Sequence, residues 1–502
     1  MPLYDLLIRN VRVVRPDTDS VDDVDIGVAD GRITHLEAGI EPDQADAVVD
    51  GGGKLAFPGA IDAHQHWGIY NPLELDTTSE SRAAAQGGVT TGITYVRTGQ
   101  YYLNRGGPYA EFFPEVLARS DGRAYVDYAF HVAPMQRSHI DELGELVDRF
   151  GVTSFKIFMF YGSHGLHGRS DDQSAFLMTP PGERYDYAHF ECVMRGLQEV
   201  RQARPEIADR LTLSLHCETA EIMAAYTKMV EAGPLRGLAA YHASRPPHSE
   251  GLAIAIASYL AHETELPTIN LLHLSSRKAV EAALIMARAF PHIDFRREVT
   301  LGHLLTDIDT AGIGAKVNPP IRPREDVEAL WSHVLAGDVD WVVSDHACCR
   351  AEDKFGADPD DVFLAKSGFG GTEYLLSGLV SEGHKRGLSD PAIARLSSWN
   401  AAQRFGLGTK GTIGEGFDAD IALVDPQSPW TIRAADSEST QEYSAFEGIE
   451  LSARVTDVFL RGAQVLQDGR VVGTPTGRYV HRPSTRHTDS ANPAVADGGA
   501  GA

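Results

Sequence analysis

Between residues 55 and 345 the chain alternates apolar, β-branched runs with longer stretches of helical periodicity. The runs are Leu55–His66, Val89–Val96, Ala124–His131, Thr153–Phe158, Leu211–His216, Thr268–His273, Ile293–Val299 and Trp341–Asp345. A short apolar run followed by a helix-like stretch predicts a strand–helix unit. Eight such units in succession predict a (β/α)8 barrel. An open doubly wound sheet fits less well, because no Gly-rich phosphate turn follows the first run.

The two ends of the chain have a different texture. Short strands with tight turns are predicted over Tyr4–Val14, Val24–Val28 and Gly31–Leu36, with Asp30-Gly31 as a turn signal. Similar pieces return at Gly411–Ile413, Asp418–Val424, Ala453–Leu460 and Arg461–Val465. The expectation is a small β-sandwich domain built from both termini (1–54 plus 400–480), beside a catalytic barrel over 55–399. Residues 481–502 are mostly polar, small and aperiodic and are expected to form a flexible tail.

In a barrel of this kind the chemistry sits at the C-terminal ends of the strands, so the polar residues that close each run are the candidates. His64 and His66 close the first. As i and i+2 on a strand they point to one face and can serve one metal ion. Lys156 lies in the fourth run, His216 closes the fifth, His273 the sixth and Asp345 the eighth. Singly, each has an ordinary reading: a core histidine, a lysine paired with a carboxylate, an aspartate capping a helix. Jointly, imidazoles and a carboxylate suit Zn, Mn, Fe or Co with positions left open for water.

Composition narrows the classes. The 502 residues carry a formal net charge of −25, which argues against nucleic acid and anionic membranes as partners. The four cysteines form no C-x-x-C pair, so neither a disulfide framework nor a thiolate zinc site is expected, and a cytoplasmic location fits. The first residues lack the pattern of a signal peptide. No stretch is long and apolar enough to span a bilayer.

An ordered set of motifs resembles the amidohydrolase superfamily, in its cyclic amidohydrolase branch of hydantoinases, dihydropyrimidinases and allantoinases. They are PGAIDAHQH (58–66), GGVTTGI (87–93), SFKIFMFY (154–161), LSLHCE (213–218), YHASRPPHSEG (241–251), LLHLSS (271–276), KVNPPIR (316–322), VVSDHA (342–347) and KGTIGEGFDADIALVDP (410–426). The resemblance implies two divalent metal ions, with zinc the leading choice. His64, His66 and Asp345 would hold one and His216 and His273 the other, with Lys156 bridging as an N6-carboxylated side chain. It implies hydrolysis of a cyclic amide C–N bond by a metal-bridging hydroxide. Asp345 would serve as general base and then acid, and Tyr161 would stabilise the oxyanion. It also implies a homotetramer or homodimer.

Substrate identity stays open between a hydantoin, a dihydropyrimidine and a related imide or ureide. Asn318, in Val317-Asn318-Pro319-Pro320, is a candidate substrate contact through the resemblance. Trp67 is a second candidate contact; the His pair is followed by Trp67-Gly68 where dihydroorotases carry x-Arg, which disfavours dihydroorotate. Arg97 closes the second run and faces either a ligand or a loop carboxylate. Loops containing Tyr101, Tyr102, Tyr109, His164 and His167 are candidates for a lid. An allantoinase-like or acyclic-amide hydrolase is the alternative activity. A non-catalytic scaffold is disfavoured because all six ligand positions are filled.

Overall fold

The computed structural model describes residues 2–162, 176–355, 358 and 360–483. Eight parallel strands form one sheet in sequence order: Ala60–Gln65, Val89–Val96, Asp127–Val132, Ser154–Phe158, Thr212–His216, Thr268–Leu271, Asp294–Thr300 and Trp341–Val343. The last meets the first where His66 N–H donates to the His346 carbonyl at 2.8 Å, which closes the barrel. Helices wrap the strands and are started by local signals. Asp186 caps Tyr187–Gln202 by accepting from the Ala188 and His189 amides, and Ser276 caps Arg277–Ala289.

The apolar run Leu55–His66 is two strands rather than one. Leu55–Pro58 pairs antiparallel with Ile421–Asp425 in the terminal sheet, and Ala60–Gln65 begins the barrel. Gly59 makes the break. Its amide donates to Asp420 O at 2.9 Å, and a Cβ there would lie 2.2 Å from the Thr90 hydroxyl. Both halves are buried, so hydrophobicity alone carries no mark of the change of sheet.

The terminal sheet has nine strands, five from the N-terminal end (Tyr4–Arg15 to Leu55–Pro58) and four from the C-terminal end (Ile421–Asp425 to Arg470–Val471). Ile8, Val13, Ile26, Ile33, Ile421 and Phe459 share its own apolar cluster. Of the tail expected over 481–502, Arg482 is fully buried and donates to Ser154 Oγ at 3.0 Å on the fourth barrel strand. Residues 484–502 lie outside the described residues. Among those described, no helix is long and apolar enough to cross a membrane.

Candidate metal centre and catalytic cleft

Six residues at the C-terminal ends of the strands surround one cleft. His64 and the adjoining His66 come from the first strand and Lys156 from the fourth, while His216 ends the fifth. His273 and Asp345 each sit two residues beyond a strand, with φ of 35° and 55°. Left-handed backbone is uncommon for such residues and often marks a functional position.

His64 Nε2 lies 3.1 Å from Asp345 Oδ1 and 3.1 Å from Lys156 Nζ, and His66 Nε2 lies 3.3 Å from the same Asp345 oxygen. The rings of His216 and His273 are 4.3 Å apart, and that of His273 is 5.4 Å from His64. Asp345 is aimed from behind. Asp62 on the first strand accepts from the Ser344 amide at 3.0 Å and from Thr372 Oγ1 at 2.8 Å, which pins the residue before Asp345.

Burial keeps the imidazoles neutral. It pulls His64, His66 and His273 well below the usual histidine range and His216 down to about 4. Neutral rings have a lone pair to offer. Burial also brings Lys156 down to about 7, against the opposing charges of Asp345 and Glu298. His273 Nδ1 is buried with no hydrogen-bond partner. Four neutral imidazoles, one of them with an orphaned nitrogen, beside a carboxylate and a lysine are a donor set that fits divalent cations.

Two carboxylates that support these six residues escape the strand-end pattern. Glu298 accepts from His64 Nδ1 at 2.7 Å and from the His273 amide at 3.1 Å, with its other oxygen on Trp341 Nε1 at 2.9 Å. It follows Arg296 and Arg297, which lie in the same strand but are partly exposed, so the triplet reads as surface charge. Glu218 binds His216 Nε2 at 2.7 Å and is clamped by Arg245 Nε at 2.9 Å. Arg245 reaches the Tyr241 hydroxyl at 3.2 Å, and that hydroxyl donates to Asn318 Oδ1. Glu218 and Arg245 fall inside LSLHCE and YHASRPPHSEG, and that is the signal that could have found them.

The cleft holds about 470 Å³ of empty space, including solvent at its mouth, and Tyr161, Asn318 and Tyr102 line it with His66, Lys156, His216, His273 and Asp345. Tyr161 stacks on Phe158 at 4.6 Å. Arg97 lies behind Tyr161 and Tyr102, with its guanidinium 5.4 Å and 5.8 Å from their ring centres and 4.6 Å from that of Phe176. It is buried, bonds the Thr98 carbonyl and leaves Nη2 without a partner. Trp67 is outside the cleft lining. It is buried in the core, where its ring lies 6.2 Å from Tyr128. Tyr109 is also a core residue and donates to the Ala133 carbonyl at 2.6 Å. His164 and His167 lie outside the described residues.

The amidohydrolase family model matches residues 183–465. The allantoinase of Rubrobacter xylanophilus is 35% identical over 489 residues, covering 96% of this chain and 98% of that one. The chain belongs to the amidohydrolase family. Within it the chain falls in the cyclic amidohydrolase branch. The D-hydantoinase of Ralstonia pickettii is 28% identical over 496 residues, covering 95% of this chain and 99% of that one. A solved D-hydantoinase structure superposes with a TM-score of 0.82 at 26% identity, covering 95% of this chain and 99% of that one.

Proposed function

We propose that this amidohydrolase opens a five-membered cyclic ureide, the hydantoin ring class to which allantoin also belongs, with two divalent metal ions in the cleft. The observation that carries the reading is the convergence of His64, His66, Lys156, His216, His273 and Asp345 at one end of the barrel. The relatives named allantoinase and D-hydantoinase share the hydantoin ring in their named substrates, which supports the ring class.

His64, His66 and Asp345 would hold one ion and His216 and His273 the other. Lys156 would join them as a carbamate: its amine is held near neutrality by burial, so it can add to carbon dioxide. When bound, the ions polarise the ring carbonyl and acidify the attacking water. Asp345 takes the proton of that water as the new C–O bond forms and gives it to the ring nitrogen as the C–N bond breaks. Tyr161 donates its hydroxyl to the oxygen on which negative charge grows, an interaction made only in the transition state. Asn318, steadied by Tyr241, offers amide groups to the ring. Arg97 acts from behind Tyr161.

A metal-loaded enzyme assayed against allantoin, 5-substituted hydantoins, dihydrouracil and succinimide tests the reading. Turnover of the hydantoin-ring compounds is expected. Turnover confined to the six-membered ring or the imide would contradict the ring class. The same proposal includes a cytoplasmic dimer or tetramer, its assembly to be checked by light scattering on the purified protein.

A further inference from the structure

Apart from contacts among the six candidate ligands, three nitrogens on their histidines are held by other side chains, and the holders differ. Glu298 takes His64 Nδ1 and Glu218 takes His216 Nε2, both carboxylates. His66 Nδ1 is taken by the Tyr102 hydroxyl at 2.9 Å. A carboxylate only accepts, whereas a phenol both accepts and donates. No other hydrogen bond to that hydroxyl exists among the described residues.

The tautomer of His66 decides which way the phenol works. For Nε2 to offer a lone pair to a metal, Nδ1 must carry the proton. The Tyr102 oxygen then accepts from Nδ1, and its own O–H can no longer point at His66. Tyr102 lines the cleft, so the cleft is where that O–H can donate. With the opposite tautomer the phenol donates to Nδ1 and the cleft loses a donor.

The loop fixes the phenol in this place. Tyr101 and Tyr102 have φ of 76° and 57°, a left-handed backbone that aromatic residues rarely adopt. The Tyr102 amide donates to the Gly68 carbonyl at 2.9 Å, and the Gly99 amide closes the loop on the Arg105 carbonyl at 2.9 Å. These bonds hold a costly conformation whose visible product is the contact between Tyr102 and His66.

We propose that Tyr102 is a positioning residue for His66 and, once a metal occupies Nε2, a hydrogen-bond donor to an acceptor oxygen of the bound ring. Metal occupancy and substrate recognition are thereby linked through one hydroxyl. The inference rests on the two-metal reading above.

Tyr102→Phe removes the oxygen and keeps the ring. Its metal content, its rate of metal loss to a chelator and its KM and kcat on a hydantoin are to be compared with those of wild type. The expected result is metal loss faster by about tenfold or more, KM raised several-fold, and unchanged melting of the metal-free form. Equal chelator kinetics and equal KM in a Tyr102→Phe protein, beside a wild type that binds two ions, would overturn this inference alone. A shift in melting temperature with no change in chelator kinetics or KM would overturn it too, since a purely structural tyrosine behaves that way. A wild type that takes up no metal would overturn the metal reading and this inference together.

Discussion

At the mouth of the barrel, His64, His273 and Asp345 bring three ligand atoms within 4.8 Å of one another, and at its floor Asp127, Asp418 and Asp420 do the same. The floor is already occupied by the protein's own cations. Lys410 Nζ lies 2.8 Å from Asp127, 2.6 Å from Asp420 and 3.2 Å from Asp418, and Arg461 bonds Asp127 as well. Asp127 begins the third barrel strand, while Asp418, Asp420 and Lys410 flank the terminal sheet, so this network fastens one to the other. At the mouth the candidate ligands are neutral imidazoles and one carboxylate, Asp345, beside a single lysine. Proximity of ligand atoms therefore does not separate a metal site from a structural knot; the charge balance around them does.

The two buried lysines make the same point. Burial works against the ammonium in both. At the floor three carboxylates overcome it and raise Lys410 above the ordinary lysine value, whereas at the mouth Asp345 and Glu298 do not, and Lys156 falls to about 7. One lysine is held as a cation, whereas the other gives up its proton near neutrality.

The largest effect expected is on Lys156→Ala. Metal content should collapse and kcat/KM fall by more than about 100-fold, beyond the loss typical of outer-shell partners, with partial recovery on adding a short carboxylic acid. Full activity without the acid would break the contrast. Lys410→Met should leave metal content per folded chain unchanged and cost about 3–5 kcal/mol in chemical denaturation, because it strands buried carboxylates.

The metal-free protein sharpens the contrast through opposite signs. Lys156 has a folded value below its unfolded one, so the unfolded chain binds more protons between about 7 and 10.5, and stability rises with pH across that window. Lys156→Met should stabilise the metal-free chain by on the order of a few kcal/mol at neutral pH, an advantage that shrinks as pH rises. Lys410 has a raised folded value. Its contribution is complete below 10.5 and is lost only as pH climbs beyond that, so the cost of Lys410→Met should be flat between about pH 7 and 10. Urea titrations of the variants across pH read both trends.

Arg97 is another buried cation, at the mouth, and among the described residues no carboxylate pairs with it. Its field is left to act on Tyr161, lowering the phenol against the rise caused by burial. Arg97→Met should reduce kcat about tenfold, equivalent to ~1.4 kcal/mol. In a Tyr161→Phe background the same change should cost far less, because the two act as a unit. Additive losses would assign Arg97 a role independent of Tyr161.

The six candidate residues stand out in the sequence because five of them close local apolar runs and Lys156 lies within one, and strand ends are where a barrel presents its chemistry. Of the partners of those residues, Glu218 lay inside LSLHCE, whereas Glu298 and the contact made by Tyr102 left no such signal. Glu298 is disguised by Arg296 and Arg297, and Tyr102 by a loop whose left-handed backbone leaves no hydrophobic pattern. Trp67 follows His66 in the chain, yet the turn after the strand sends it into the core. Gly59 divides one apolar run between two sheets for a steric reason that only the approach of Thr90 reveals. Sequence order carries the face of a strand, whereas what packs against that face is a property of the closed barrel.

The most direct measurement is anomalous diffraction at a zinc absorption edge from crystals of the zinc-loaded protein. Two peaks are expected at the mouth, with density for a carbamate on Lys156 between them and none beside Asp127, Asp418 and Asp420. A peak at the floor, or an unmodified Lys156 beside a mouth without metal, would contradict the assignment of the two clusters.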